Sequence, residues 1–84
     1  MSEYRYDRLT WPEINEAAED ERMVLVPVGA TEDHGPHLPL DVDRVIAGTV
    51  CERTAEDRED TLLFPTVDHG YLPHHMDFPG GITI

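Results

Sequence analysis

Between Gly29 and Asp43 the chain reads GATEDHGPHLPLDVD, which places Glu32, Asp33, His34, His37, Asp41 and Asp43 within a dozen residues. Carboxylates mixed with imidazole are the oxygen and nitrogen donors that zinc, manganese and ferrous iron accept. In an extended stretch side chains alternate, so Glu32 and His34 share one side. Gly35 and Pro36 can then turn the chain, and Asp43, in the first turn of a following helix, returns toward them. An acid-and-histidine loop in an acidic protein also reads as solvated surface. From types and spacing alone the solvated surface is the leading reading, and the Pro and Gly content raises the metal reading only slightly, because a rigid loop can hold ligands in place.

The elements on either side must position this loop. Thr10, Pro12 and Glu13 announce a helix from Pro12 to about Glu19: Thr10 caps, Glu13 stands three residues later, and Pro12 suits a first turn. Ile14, Ala17 and Ala18 form its inner face, with Trp11 as an anchor. Met23 to Val28 is apolar, rich in valine and stopped by Gly29, which predicts a buried strand. With Gly29, Gly35, Pro36 and Pro39, the segment to Asp41 must be a loop. Val42, Val45, Ile46, Thr49 and Val50 recur at helical period, with Asp41 or Asp43 favouring the N-terminus. This second helix should fade in the charged run Glu56 to Asp60. Thr61 to Phe64 predicts a second buried strand, and the Gly- and Pro-rich remainder an extended loop, with Gly81 to Ile84 starting another strand. The order points to α/β layering with parallel strands, and the loop then lies at a strand's carboxyl end, where such sheets place their sites.

Composition narrows the function. The chain has 84 residues, with 18 acidic side chains against six basic ones and a formal net charge of −12. Such a surface repels phosphate backbones and anionic lipids, so neither nucleic acid nor membrane is an expected partner. The acidity reads as a solvated surface or, preferentially, as adaptation to a salt-rich cytoplasm. The single cysteine, Cys51, excludes an intrachain disulfide and suits a reducing cytoplasm. No signal-peptide pattern opens the chain, and no Walker or dinucleotide fingerprint occurs.

VPVGATEDHGPHLPLDVD resembles the N-terminal motif of the creatininase (creatinine amidohydrolase) family: a valine-rich strand, Gly, a small residue, Thr or Ser, Glu, any residue, His-Gly-Pro-His-Leu-Pro, and a later Asp. HGYLPHHMDFPGGITI resembles a later family segment, in which Gly70, His75, Phe78, Pro79 and Gly80 agree. Leu72 stands in place of the usual serine, His74 of the glutamate and Gly81 of the threonine. The resemblance runs from about Leu9 to Ile84. It implies a three-layer α/β/α fold with a parallel sheet, of which residues 1–84 form the N-terminal portion. It also implies a metal-dependent amidohydrolase acting on a cyclic or linear amide C–N bond through metal-activated water. By resemblance Glu32, His34 and Asp43 are metal ligands, with Asp43 bridging two ions of zinc or manganese (iron being a third candidate). His75 takes a substrate-side position, and His37 an outer one that orients the loop or hydrogen-bonds a ligand carboxylate. The remaining ligands and the general acid or base belong to a Gly-His-Gly-Gly-Asn segment that does not occur here, so no catalytic residue is assigned.

A small-molecule amide is the expected substrate, and a homo-oligomer the expected state of a full domain. The alternative reading is a truncated, catalytically incomplete remnant that binds metal weakly or serves as an acidic interaction module. Of the other candidates, His74-His75 beside Asp77 reads first as a loop pair, His69 has no assigned role, and Cys51 reads as a small packed residue rather than a nucleophile.

Overall fold

The computed structural model describes residues 3–84. After a 3-10 turn at Tyr6–Arg8, helix α1 spans Trp11–Glu19, strand β1 Met23–Leu25, helix α2 Val42–Asp57 and strand β2 Thr61–Leu63, with a second 3-10 turn at Pro73–His75. β1 and β2 pair in parallel, Met23 opposite Thr61 and Leu25 opposite Leu63. Arg5 bridges Leu63 from the other edge, and the Leu63 amide donates to the Tyr4 carbonyl at 2.7 Å. β2 is therefore the inner strand, and its Thr61 and Leu62 are each only 1% exposed.

The helices take opposite faces of this sheet. Successive strand residues point to opposite sides. Ile14, Ala17 and Ala18 of α1 line a cleft with Val24 and Leu62, whereas Val45, Gly48 and Thr49 of α2 line one with Leu63 and Phe64. This α/β layering around a parallel pair is the arrangement expected from the element order. At the head of α1, the Glu13 carboxylate accepts from both the amide and the hydroxyl of Thr10, each at 2.9 Å, so the capping signal does its expected job. At the foot, Arg22 N–H donates to Ala17 O and Glu21 N–H to Ala18 O, a Schellman closure with Glu21 left-handed at φ 54°.

Burial departs from expectation in three places. The Met23–Val28 strand is neither continuous nor buried. Pro27 lacks the N–H a ladder needs, so regular pairing stops at Leu25 and resumes only as a bridge between Val28 and Val67. Among the described residues β1 has one neighbour, and Val28 stays 62% exposed. Trp11 is not an anchor: it occupies the first helical position, ahead of the Ile14–Ala17 face, and is 81% exposed. On that side Tyr6 packs on Phe64 instead, ring centroids 5.2 Å apart. The stripe Val45, Ile46 and Val50 of α2 is largely exposed, while Ala55 is the buried residue of that helix. The expected C-terminal strand is present as two isolated bridges, Ile82 with Thr31 and Thr83 with Gly70. No helix among the described residues is long and apolar enough to cross a membrane.

Candidate metal centre

The loop after β1 is irregular from Gly29 to Leu40 but tied at several points. Gly29 N–H donates to Val67 O, the Thr31 hydroxyl to Asp68 O, and Ile82 N–H to Thr31 O. Glu32 N–H donates to Leu40 O at 3.2 Å, closing the loop on itself. Gly35, at φ +72°, makes the left-handed reversal between His34 and the Pro36–His37 turn. Gly29 lets helix α2 approach: a Cβ there would lie 2.7 Å from the Arg44 amide nitrogen and 2.9 Å from the Asp43 carbonyl carbon. Asp41 occupies the N-cap, its carbonyl accepting from Val45 N–H, while its carboxylate pairs with Arg44 at 3.0 Å.

These constraints bring Glu32, His34 and Asp43 together, one donor atom from each lying within 4.8 Å of the other two. His34 Nε2 is 3.5 Å from Asp43 Oδ1 and 3.8 Å from Glu32 Oε1. It is also a buried nitrogen with no hydrogen-bond partner. A buried polar atom left unpaired costs about 1–3 kcal/mol unless something else satisfies it. Two carboxylates and a converging imidazole of this kind suit a divalent cation. All three residues are half-buried.

The histidines divide. His75 reaches the centre from the second 3-10 turn: its Nε2 is 3.6 Å from Glu32 Oε2, and its Nδ1 is 2.7 Å from Asp33 Oδ1. The Asp33 hydrogen bond holds the His75 imidazolium above its ordinary value of 6.5, with burial opposing and the charges of Glu32, Asp33 and Asp43 assisting. His37 is exposed, its ring lying against Gly35, with no hydrogen bond to Glu32 or Asp43. His74 stacks edge-on against His75 at 4.4 Å, and His69 pairs locally with Asp68. Leu72 is 2% exposed, and a Cβ added at Gly81 would meet its Cδ1 at 3.5 Å, so it belongs to the packed interior. Asp33 is the residue that sequence reasoning passed over. Its partner lies 42 residues away, and no local spacing announces the pair. Beside it, a largely apolar cleft of about 560 Å³ is lined by Asp33, Gly35, Pro36, Leu40, Phe78 and Pro79.

An α/β layer with a carboxylate–imidazole–carboxylate cluster in the loop that follows a parallel strand defines the class, one whose clustered donors could hold a divalent ion. The particular family follows: residues 7–84 match the creatininase family model, described as creatinine amidohydrolase, and the chain belongs to that family. It is 48% identical over 67 residues to a mycofactocin precursor peptide peptidase of Mycolicibacterium smegmatis, covering 74% of this chain and 27% of that protein. It is 39% identical to a creatinine amidohydrolase of Pseudomonas putida, covering 90% of this chain and 31% of the relative. A crystal structure of creatinine amidohydrolase superposes with a TM-score of 0.83 at 30% identity, over 100% of this chain and 34% of that one. Solved creatininases of similar likeness include a zinc–zinc form and a manganese form. The chain thus spans between a quarter and a third of the length of the relatives it matches.

Proposed function

We propose that this chain carries the N-terminal donor set of a metal-dependent amidohydrolase, with Glu32, His34 and Asp43 as ligands of zinc or manganese, and that residues 1–84 correspond to the N-terminal portion of a creatininase-like domain. The observation that carries the reading is the unpartnered, buried His34 Nε2 facing the Asp43 and Glu32 carboxylates. A divalent ion supplies Lewis acidity there, lowering the pKa of water and polarising an amide carbonyl. The chain's own residues do the rest of what is local. Asp43 presents its carboxylate from the first turn of α2, Glu32 its carboxylate and His34 its imidazole from the tied loop, and His75 stands at the substrate side of Glu32. The apolar cleft beside Asp33 supports an amide substrate with an uncharged flank. Relatives named a peptidase and a creatinine amidohydrolase support linear and cyclic amides as the substrate classes. Cys51, free and half-buried, suits a cytoplasmic setting.

Zinc and manganese titrations of the 84-residue chain, with Asp43→Ala alongside, test the centre. Binding is expected in the parent and lost in the variant, and equal binding by both overturns the assignment. Hydrolysis of short peptide amides and of creatinine, with and without metal, tests the activity. A second reading, metal binding without turnover, draws support from the size of the donor set. Three donors can fill most of one ion's shell but not the shells of two. Tight metal binding with no amide hydrolysed selects that reading.

A further inference from the structure

The cleft of about 560 Å³ falls in the range of about 300–1,000 Å³ that small-ligand sites occupy. None of Glu32, His34 and Asp43 lines it, yet Asp33 and Gly35, which do, are the two chain neighbours of His34. An amide held at the centre therefore meets the cleft through the substituent beside it rather than through the scissile group. The walls are apolar apart from Asp33, whose carboxylate is taken up by His75 Nδ1 at 2.7 Å. A polar side chain entering here would give up water and find no free partner in Gly35, Pro36, Leu40, Phe78 or Pro79. An acidic one would add to the charge of Glu32, Asp33 and Asp43.

The two walls come from segments far apart in the chain, and their spacing is fixed without a ligand. The Asp33–His75 hydrogen bond joins them on one side, and Ile82 N–H donates to Thr31 O at 3.0 Å behind it. Gly80, at φ +100°, lies so close to Leu40 that a Cβ there would be 2.6 Å from Leu40 Cδ1. A cleft held open in this way spares a ligand the cost of ordering it. Phe78 is anchored by its backbone, its amide donating to His75 O at 3.2 Å, while the residue stays 57% exposed. We infer that this cleft is the subsite for an apolar side chain flanking the scissile amide of a linear, peptide-like substrate, with Phe78 as the wall that sets the preference. A compact cyclic amide carries no such side chain and leaves the cleft empty. The inference rests on the reading of Glu32, His34 and Asp43 as the metal centre of an amide hydrolase.

The test titrates the full chain, with and without zinc, with N-acetyl-leucinamide, N-acetylglycinamide, N-acetylargininamide and N-acetylaspartamide, followed by nitrogen–proton correlation NMR. The leucine amide should shift the backbone amides of Gly35, Leu40 and Phe78 and saturate. Burial of a side chain of that size is worth about ten- to a hundredfold in affinity, which is the expected margin over the glycine amide. The arginine and aspartate amides should bind no better than glycine. Phe78→Ala should bring the leucine amide down to the glycine level, and Phe78→Leu, which keeps an apolar wall, should retain most of the preference. Equal affinity for the leucine and glycine amides overturns the subsite, and needs no variant to fold. Tighter binding of the arginine amide overturns its apolar character by showing that the Asp33 charge is read instead. Shifts at the same three residues on raising protein concentration alone also overturn it, because a second copy then fills the cleft. A parent-like preference in Phe78→Ala removes Phe78 as the specificity wall. A chain that binds no zinc fails the reading of the centre; a chain that binds zinc but shows no leucine preference fails the cleft alone.

Discussion

Gly29→Ala separates the positioning of the site from its chemistry, because the atoms a Cβ there would meet first are backbone. Positive φ occurs at Gly35 and Gly80 but not at Gly29, so alanine meets no left-handed penalty there. Its cost is steric: the new methyl would sit 2.7 Å from Arg44 N, 2.8 Å from Arg44 Cα and 2.9 Å from the Asp43 carbonyl carbon. Carbon contacts settle near 3.5 Å, so the first turn of α2 must retreat by about 0.8 Å. These are backbone atoms and cannot rotate aside. Asp43 rides on that turn, and a ligand constellation tolerates displacements of only about 0.5 Å. Overpacking of this kind costs about 1–3 kcal/mol. At about 1.4 kcal/mol per tenfold, the same strain set against metal binding lowers zinc affinity by about five- to a hundredfold. Urea unfolding of the metal-free chain and calorimetric zinc titration measure the two effects. Gly70→Ala is the control, since nothing lies within 4 Å of its Cβ, and it should move stability by less than about 0.5 kcal/mol. Gly29→Ala with parent zinc affinity would refute the link from Gly29 to Asp43, whatever happened to stability.

Three further outcomes test other parts of the fold. Glu21→Gly should raise stability by about 1 kcal/mol in urea unfolding, because Glu21 holds the left-handed position of the α1 closure where glycine is free of strain; an unchanged or lower midpoint counts against that. The Glu13 carboxyl lies below its ordinary value of 4.5, chiefly through the Thr10 amide hydrogen bond and then the Thr10 hydroxyl. A depressed folded value means that its contribution is present above the unfolded pKa and lost as pH falls through the folded one; Glu13→Gln should flatten the acid limb of stability against pH, and identical limbs would contradict the cap. With a formal net charge of −12, the chain should unfold at a higher temperature in molar salt than in dilute buffer, because screening shortens from about 10 Å at 0.1 M to 3 Å at 1 M; the opposite order would remove the salt-adapted reading.

What could be read from residues alone was whatever local chemistry decides. The α1 boundary followed from Thr10, Pro12 and Glu13, and the helix forms from Trp11 to Glu19. α2 began and faded where its period and charged run said, at Val42 and Asp57. Thr61–Leu63 paired in parallel with Met23–Leu25, as a strand–helix–strand order requires. The meeting of Glu32, His34 and Asp43 was legible for the same reason: the glycines and prolines that bend the loop lie within the loop. Illegible were the features decided across long separations. The Asp33–His75 pair joins segments 42 residues apart, and the burial of Leu72 depends on Gly81 and on the Thr83 hydroxyl accepting from its amide at 2.8 Å.

Helix α2 shows why amphipathic pattern and burial came apart while the site did not. Its apolar stripe encodes a face, but a face is buried only if something covers it, and Ile46 remains 60% exposed. The same helix places Asp43 without help from that face. Its first turn is set against Gly29, its N-cap carbonyl is satisfied by Val45 N–H, and Arg44 is tied back to Asp41. Removing a methylene from Val45 or Val50 should therefore alter stability little, since neither fills a packed interior. Adding one methyl at Gly29 acts directly on the backbone that carries Asp43, the proposed ligand. The centre thus depends on the fit of one helical turn against one strand end more than on the depth of the core beneath it.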